Sequence, residues 1–284
     1  MRIEILGSGG ALTTPRVGCQ CPVCVEARAK GVPYSRSGPS TFVHGPDLLI
    51  DTPEEIKDQL NRSQVTSIGA CIYSHWHPDH TAGRRVWESA NADPTHYPPR
   101  HRSTDIYLPE QVAQDFRTWL GSWEQYAYMQ HLGLVNVIEL SDGDTVTLNG
   151  TTIRPFRLAE DYVYAFLLEA GGQRVLIAPD ELNGWVPPDF VQGVDLAIIP
   201  MGLAEFHPLT GERLFTENHP LMQREATYVE TLEMVRQLKA GRVIMTHIEE
   251  TTQMGYDDLL TLEDRLRADG FNITFAYDTM MIEV

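Results

Sequence analysis

Apolar positions along the chain follow two interleaved rhythms. Short runs enriched in β-branched and aromatic residues recur at 2–6, 41–44, 48–51, 70–73, 105–108, 135–140, 151–156, 164–169, 174–177, 196–199, 243–245, 273–276 and 281–284. Runs of that length and composition predict strands. Between them, apolar residues spaced at the helical period predict helices over 54–60, 81–90, 109–119, 222–239 and 259–268. Turn signals at Gly45-Pro46-Asp47, Leu148-Asn149-Gly150 and Gly171-Gly172-Gln173 predict hairpins between neighbouring strands. Strands joined by turns and interleaved with helices imply layered sheets covered by helices, an α/β architecture. The stretch 91–104 carries Pro94, Pro98 and Pro99 beside Arg100-His101-Arg102, and is expected to be a flexible excursion.

A chain of 284 residues holds one large core, and no Pro/Gly/Ser linker divides it, so residues 1–284 are expected to form a single domain. The net charge of -17 opposes binding to a phosphate backbone, which demands clustered Lys and Arg, so nucleic acid is not an expected partner. No apolar run reaches membrane-spanning length and the N-terminus carries no secretory pattern, which predicts a cytoplasmic protein with no membrane partner.

The segment Ser74-His75-Trp76-His77-Pro78-Asp79-His80 places three imidazoles and a carboxylate in six positions directly after an apolar run. Pro78 stops any strand, so these side chains sit on a loop at a strand's end. In an extended segment His75 and His77 point to one side, while Asp79 and His80 lie past the turn. The four therefore suit two metal ions about 3.5–4 Å apart, the spacing of two-metal hydrolases. Cys19, Cys21 and Cys24 are too close together for ordinary bridges among themselves, and read as thiolate ligands. Cys71, inside an apolar run, reads as a small core residue.

The pattern His75-x-His77-x-Asp79-His80 resembles the hallmark of the metallo-β-lactamase superfamily, and the resemblance extends over most of the chain. It implies an αββα sandwich and a hydrolytic di-metal centre. It also implies that Asp51, ending an early strand, buttresses the site. By the same carry-over His75 and His77 serve one ion, Asp79, His80 and His247 serve the other, and Asp180 bridges. Taken alone, Asp51 and Asp180 serve equally as turn formers or helix caps, and His247 as a core histidine. One position departs from the family: the loop 158–162 lacks the histidine usually given to the first ion. There Glu160, or Asp161, stands as a carboxylate substitute, which would favour manganese or iron over zinc.

The cysteine trio is similar to that of the cyclic phosphodiesterases of the carbon–phosphorus lyase pathway, which use it for a structural zinc. That resemblance puts Glu250 in the fourth ligand position, where relatives carry a histidine. It also places His219 on a loop facing the metals, suited to assisting a leaving group, although capping of the following helix is the competing reading. The implied cofactors are thus two catalytic divalent metals (zinc, manganese or iron) and one structural zinc. The implied activity is hydrolysis of a small or cyclic phosphodiester, with Asp79 orienting the nucleophile, and the implied assembly is a homodimer. Two other readings keep the fold: an oxidoreductase or accessory protein similar to pyrroloquinoline quinone biosynthesis protein B, and a ribonuclease of the tRNA 3′-end type. Arg84 and Arg85 read as solvent-facing, and Trp119, Trp123, Tyr126 and Tyr128 as helix-face packing.

Overall fold

A computed structural model describes residues 1–121 and 123–284. The first sheet takes β1 (Arg2–Gly7), β2 (Ser40–His44), β3 (Leu48–Ile50), β4 (Ala70–Ile72), β5 (Thr104–Pro109) and β6 (Val135–Leu140). The second takes β7 (Val146–Leu148), β8 (Thr151–Arg157), β9 (Tyr164–Ala170), β10 (Gln173–Ile177), β11 (Leu196–Pro200), β12 (Arg242–Thr246) and β13 (Ile273–Phe275), after which β14 (Met280–Glu283) returns to the first. Each sheet has seven strands, ordered β14-β1-β2-β3-β4-β5-β6 and β13-β12-β11-β10-β9-β8-β7. The pairings repeat between the sheets: β14 through β3 and β7 through β10 are antiparallel, whereas β3 through β6 and β10 through β13 are parallel.

Side-chain alternation in the second sheet sorts its residues into two cores. Val175, Ile177, Ile198 and Ile244 pack between the sheets with Ile3, Ile5, Val43, Ile72 and Ile106. Their neighbours Leu176, Ala197, Ile199, Val243 and Met245 point the other way. They pack under Val235 and Leu238 of α7 (Tyr228–Leu238) and Leu259, Leu262 and Leu266 of α8 (Tyr256–Ala268). Strands buried on both faces read as near-continuous apolar runs, which is why 196–199 is legible as a strand without alternation. The first sheet is flanked by α2 (Ile56–Arg62), α5 (Glu110–Thr118) and α6 (Trp123–His131), completing four layers. No helix among the described residues is long and apolar enough to cross a membrane.

Three sequence expectations shift. The helix expected over 222–239 begins later, because Thr227 and Glu230 form a reciprocal capping box that fixes the start of α7. Residues Pro220–Gln223 are a separate 3-10 turn. The helix expected over 81–90 is split into α3 (Pro78–Thr81) and α4 (Val86–Asn91). Gly83 lies in the break, where its N–H donates to the Thr52 carbonyl at 2.9 Å. A Cβ there would stand 2.1 Å from the Pro53 carbonyl oxygen and 2.5 Å from Ile56 Cγ2. Helices α1 (Pro22–Lys30) and α6 carry weak apolar periodicity and were not expected from it. The stretch 91–104 is pinned at its ends: Asn91 Nδ2 donates to Thr104 Oγ1 and to the Leu134 carbonyl.

Gly83→Ala is expected to lower stability by about 1–3 kcal/mol through overpacking against Pro53, a fall of roughly 2–5 °C in Tm by scanning calorimetry.

Candidate metal centre

The candidate ligands sit just past the carboxyl ends of parallel strands from both sheets. Strand β3 delivers Asp51, β4 delivers Ser74, His75 and His77 and then α3 with Asp79 and His80, β10 delivers Asp180, and β12 delivers His247. Asp51 and His247 adopt φ of 63° and 50°, a left-handed conformation uncommon for such residues. Such strain persists only where the surroundings over-determine it. At His247 the surroundings include Gly10, where a Cβ would lie 2.6 Å from His247 Nδ1 and 2.2 Å from Glu249 Oε1.

Hydrogen bonds to Asp51 set the tautomers of two imidazoles. Its Oδ1 accepts the Ser74 N–H at 2.8 Å, and its Oδ2 accepts the Ser74 hydroxyl at 2.6 Å. The Ser74 proton is thereby committed, so its oxygen accepts from His75 Nδ1 at 3.0 Å. His80 Nδ1 donates to Asp51 Oδ2 at 2.8 Å. In its neutral form each ring therefore carries its lone pair on Nε2, as imidazole ligation requires.

Two groups of donor atoms result, each with its members within 4.8 Å of one another: His75, His77 and Asp180, and Asp79, His80 and His247. Each group combines residues from both sheets. Asp180 spans them, with Oδ2 at 3.2 Å from His75 Nε2 and Oδ1 at 3.3 Å from His247 Nε2. Two ligands of one tetrahedral ion are separated by about 3.3 Å when each bond is about 2.05 Å. His75 Nε2, His80 Nε2, His247 Nε2 and Asp79 Oδ2 are buried without a hydrogen-bond partner. Leaving each such atom unsatisfied costs about 1–3 kcal/mol, which a divalent cation would offset. The donor sets thus fit two ions. Burial, reinforced by His75, pushes His77 down to about 4, so it is neutral at pH 7. Burial opposes ionisation of Asp180, but His247 and His75 outweigh it and hold the carboxyl well below its usual range.

Glu160 lies on the wall of the cavity above these groups but outside the first cluster, and Asp161 is exposed. The ring of Tyr162 takes the adjacent space, 6.2 Å from that of His75 and 5.6 Å from that of His77. His219 does not border the cavity; its Nδ1 accepts the Leu221 N–H at 3.3 Å and caps the 3-10 turn, which is the competing reading of that residue. Arg85 is a surface residue paired with Glu88 at 3.3 Å, and Arg84 bonds the Thr81 carbonyl. Tyr126 is buried with its hydroxyl on that of Tyr73, whereas Trp119 and Tyr128 are exposed.

Cys19, Cys21, Cys24 and Glu250 form a further group. Glu250 Oε1 stands 3.4, 3.4 and 3.3 Å from the three sulfurs. A tetrahedral zinc with three thiolates and one carboxylate oxygen has sulfur–oxygen edges of about 3.6 Å, so this donor set fits a closed site. Arg16 lies beside it, Nε 3.6 Å from Glu250 Oε2. Glu250 is joined to the metal centre through its neighbour Glu249, which accepts the Ala11 and Leu12 N–H groups at 2.9 Å and faces His247 Nδ1 at 3.7 Å.

The cavity has a volume of about 580 Å³ and is bordered by His77, Asp79, Asp180 and His247. Its acidic wall joins Glu160, expected from the sequence as a metal ligand, to Glu181 and Glu225, which the sequence did not single out although Glu181 directly follows Asp180. Burial pushes Glu181 up to about 9, and contact with the Glu225 carboxyl adds to the rise. Burial likewise pushes the Tyr162 phenol up to about 12, helped by Glu160, Asp180, Glu181 and Glu225 around it.

The family described as the beta-lactamase superfamily domain matches residues 45–248. A diphosphatase from the PhnP family superposes with a TM-score of 0.70 at 20% identity, covering 100% of this chain and 97% of that one. Zinc-bound PqqB from Methylobacterium extorquens gives 0.66 at 16%, covering 100% of each, and the short form of human tRNase Z gives 0.64 at 16%, covering 100% and 99%. Likeness at these identities shows the shared αββα metallo-β-lactamase fold. An octanoyltransferase from Porphyromonas gingivalis (strain ATCC BAA-308 / W83) is 28% identical over 120 residues, 41% of this chain and 22% of that protein's length.

Two outcomes follow from the geometry. Asp51→Asn should release the tautomer of His80 and lower affinity for the second ion about 10–100-fold, measured by competition with a chromogenic chelator. Glu250→Ala should lower zinc content by about one ion per chain in elemental analysis, with Cys24→Ser doing the same.

Proposed function

Because the chain belongs to the beta-lactamase superfamily, and because its two donor clusters meet at one shared carboxylate, Asp180, we propose that it is a metal-dependent hydrolase acting on a small or cyclic phosphodiester. The observation that carries this reading is the set of buried, partnerless imidazole nitrogens and the Asp79 oxygen turned toward one space at the cavity. When bound, two divalent ions supply Lewis acidity and lower the pKa of a water to near neutrality. Asp180 holds the two positions in register. Asp79 lies between His80 and His247, with Oδ2 3.4 and 3.6 Å from their Nε2 atoms, and orients the second position. The walls around His77 and Tyr162 exclude bulk water from the reacting phosphoryl group, which strengthens every charge interaction within.

The first cluster has two imidazoles and a carboxylate with Glu160 outside it, a sparse set that also suits an oxygen-using protein, the second reading. The two separate by experiment. Protein reconstituted with zinc, manganese or iron is expected to hydrolyse bis(p-nitrophenyl) phosphate without dioxygen, and His77→Ala or Asp180→Ala should cost about 10²-fold or more in kcat/KM. Full metal loading with no turnover under any ion would overturn the hydrolase reading.

A further inference from the structure

The cavity has more acid on its walls than metal binding uses. Apart from His77, Asp79, Asp180 and His247, the charged residues bordering it are Glu160, Glu181, Glu225, Glu249 and Arg224. Glu249 is occupied by the Ala11 and Leu12 N–H groups. Glu181 commits Oε1 to the N–H groups of Asn183 and Ala226, and its carboxyl meets that of Glu225 within hydrogen-bonding range. No ion pair among the described residues joins Glu160, Glu181 or Glu225 to a cation, Arg224 included. The cavity is bordered on its Asp79 and Asp180 side by His247, a residue nine-tenths buried whose Nε2 has no hydrogen-bond partner. It is also bordered by the aromatic rings of Tyr162 and Phe215.

Carboxylates beside aromatic faces are the surroundings in which an ammonium group is held, by charge on one side and by the ring quadrupole on the other. The same carboxylates repel any further anionic group on a substrate, so a nucleotide polyanion is excluded from this wall. We propose that Glu160 and Glu225, with Tyr162, form an ammonium subsite in which Glu181 serves as the hydrogen-bonding neighbour of Glu225, and that the substrate is a zwitterionic phosphodiester with a primary or quaternary amine on one arm. This rests on the phosphodiesterase reading above and names the substrate class for that site. The phosphodiester monoanion faces the metal positions, and the amine lies against the acidic wall.

The test compares p-nitrophenyl phosphorylcholine with p-nitrophenyl 3,3-dimethylbutyl phosphate, which has the same shape with carbon in place of the charged nitrogen. In metal-reconstituted protein the choline diester is expected to have a kcat/KM about tenfold or more above its carbon isostere. Glu225→Gln and Glu160→Gln, assayed separately, should each pull that ratio toward one, and so should added salt. Equal or preferred turnover of the carbon isostere, or a ratio unmoved in both variants, overturns the ammonium subsite while leaving the phosphodiesterase reading intact. No turnover of either diester with any metal overturns both.

Discussion

The carboxylate of Asp51 organises both donor clusters without belonging to either. It is 1% exposed and sits in a left-handed backbone conformation at the end of β3, where its oxygens accept from the backbone and hydroxyl of Ser74 and from His80. Through the Ser74 hydroxyl it also reaches His75. One buried anion therefore fixes the proton positions of two rings, one in each cluster, and gives β3 and β4 a common end-point. A carboxylate this deep is tolerable only when it is hydrogen-bonded, and here Oδ1 accepts one donor and Oδ2 two.

A second line of connection runs from the cysteines to the same centre. Glu250 closes on three sulfurs, while Glu249 faces His247 and grips the backbone of residues 11 and 12. Adjacent carboxylates on one short segment thus look into two sites. The loop after β1 passes so close to His247 that a side chain at Gly10 would overlap it, so the glycine-rich start of the chain is explained by proximity rather than by turn formation.

Much of this was legible in the sequence because it depends on local pattern. The strands buried on both faces, the hairpin turns at Asn149-Gly150, the ligand cluster between Ser74 and His80, and the cysteine spacing all advertise themselves over a few residues. What escaped was set by packing between distant segments. The break at Gly83 follows from the approach of Pro53, and the late start of α7 from a capping box within an apparently continuous apolar rhythm. Glu250, put by resemblance in the fourth ligand position, lies beside the three sulfurs, whereas His219, put by resemblance on a loop facing the metals, caps a 3-10 turn. Glu160 was singled out only as a ligand, and its grouping with Glu181 and Glu225 was invisible because the three come from separate loops, and nothing in a single charged position says which cavity it will face.

Each donor cluster draws on both sheets: His75 and His77 with Asp180, Asp79 and His80 with His247. Neither half of the sandwich can complete a coordination set by itself, so an ion bound there acts as a non-covalent cross-link between halves whose topologies mirror one another. Cation affinity then becomes cooperativity of folding. At a free ion concentration a thousand times its dissociation constant, one site adds about 4 kcal/mol to global stability. That increment is absent from any species in which the sheets have separated. Scarcity of metal would therefore register first as a loosened seam between the sheets, well before either sheet came apart.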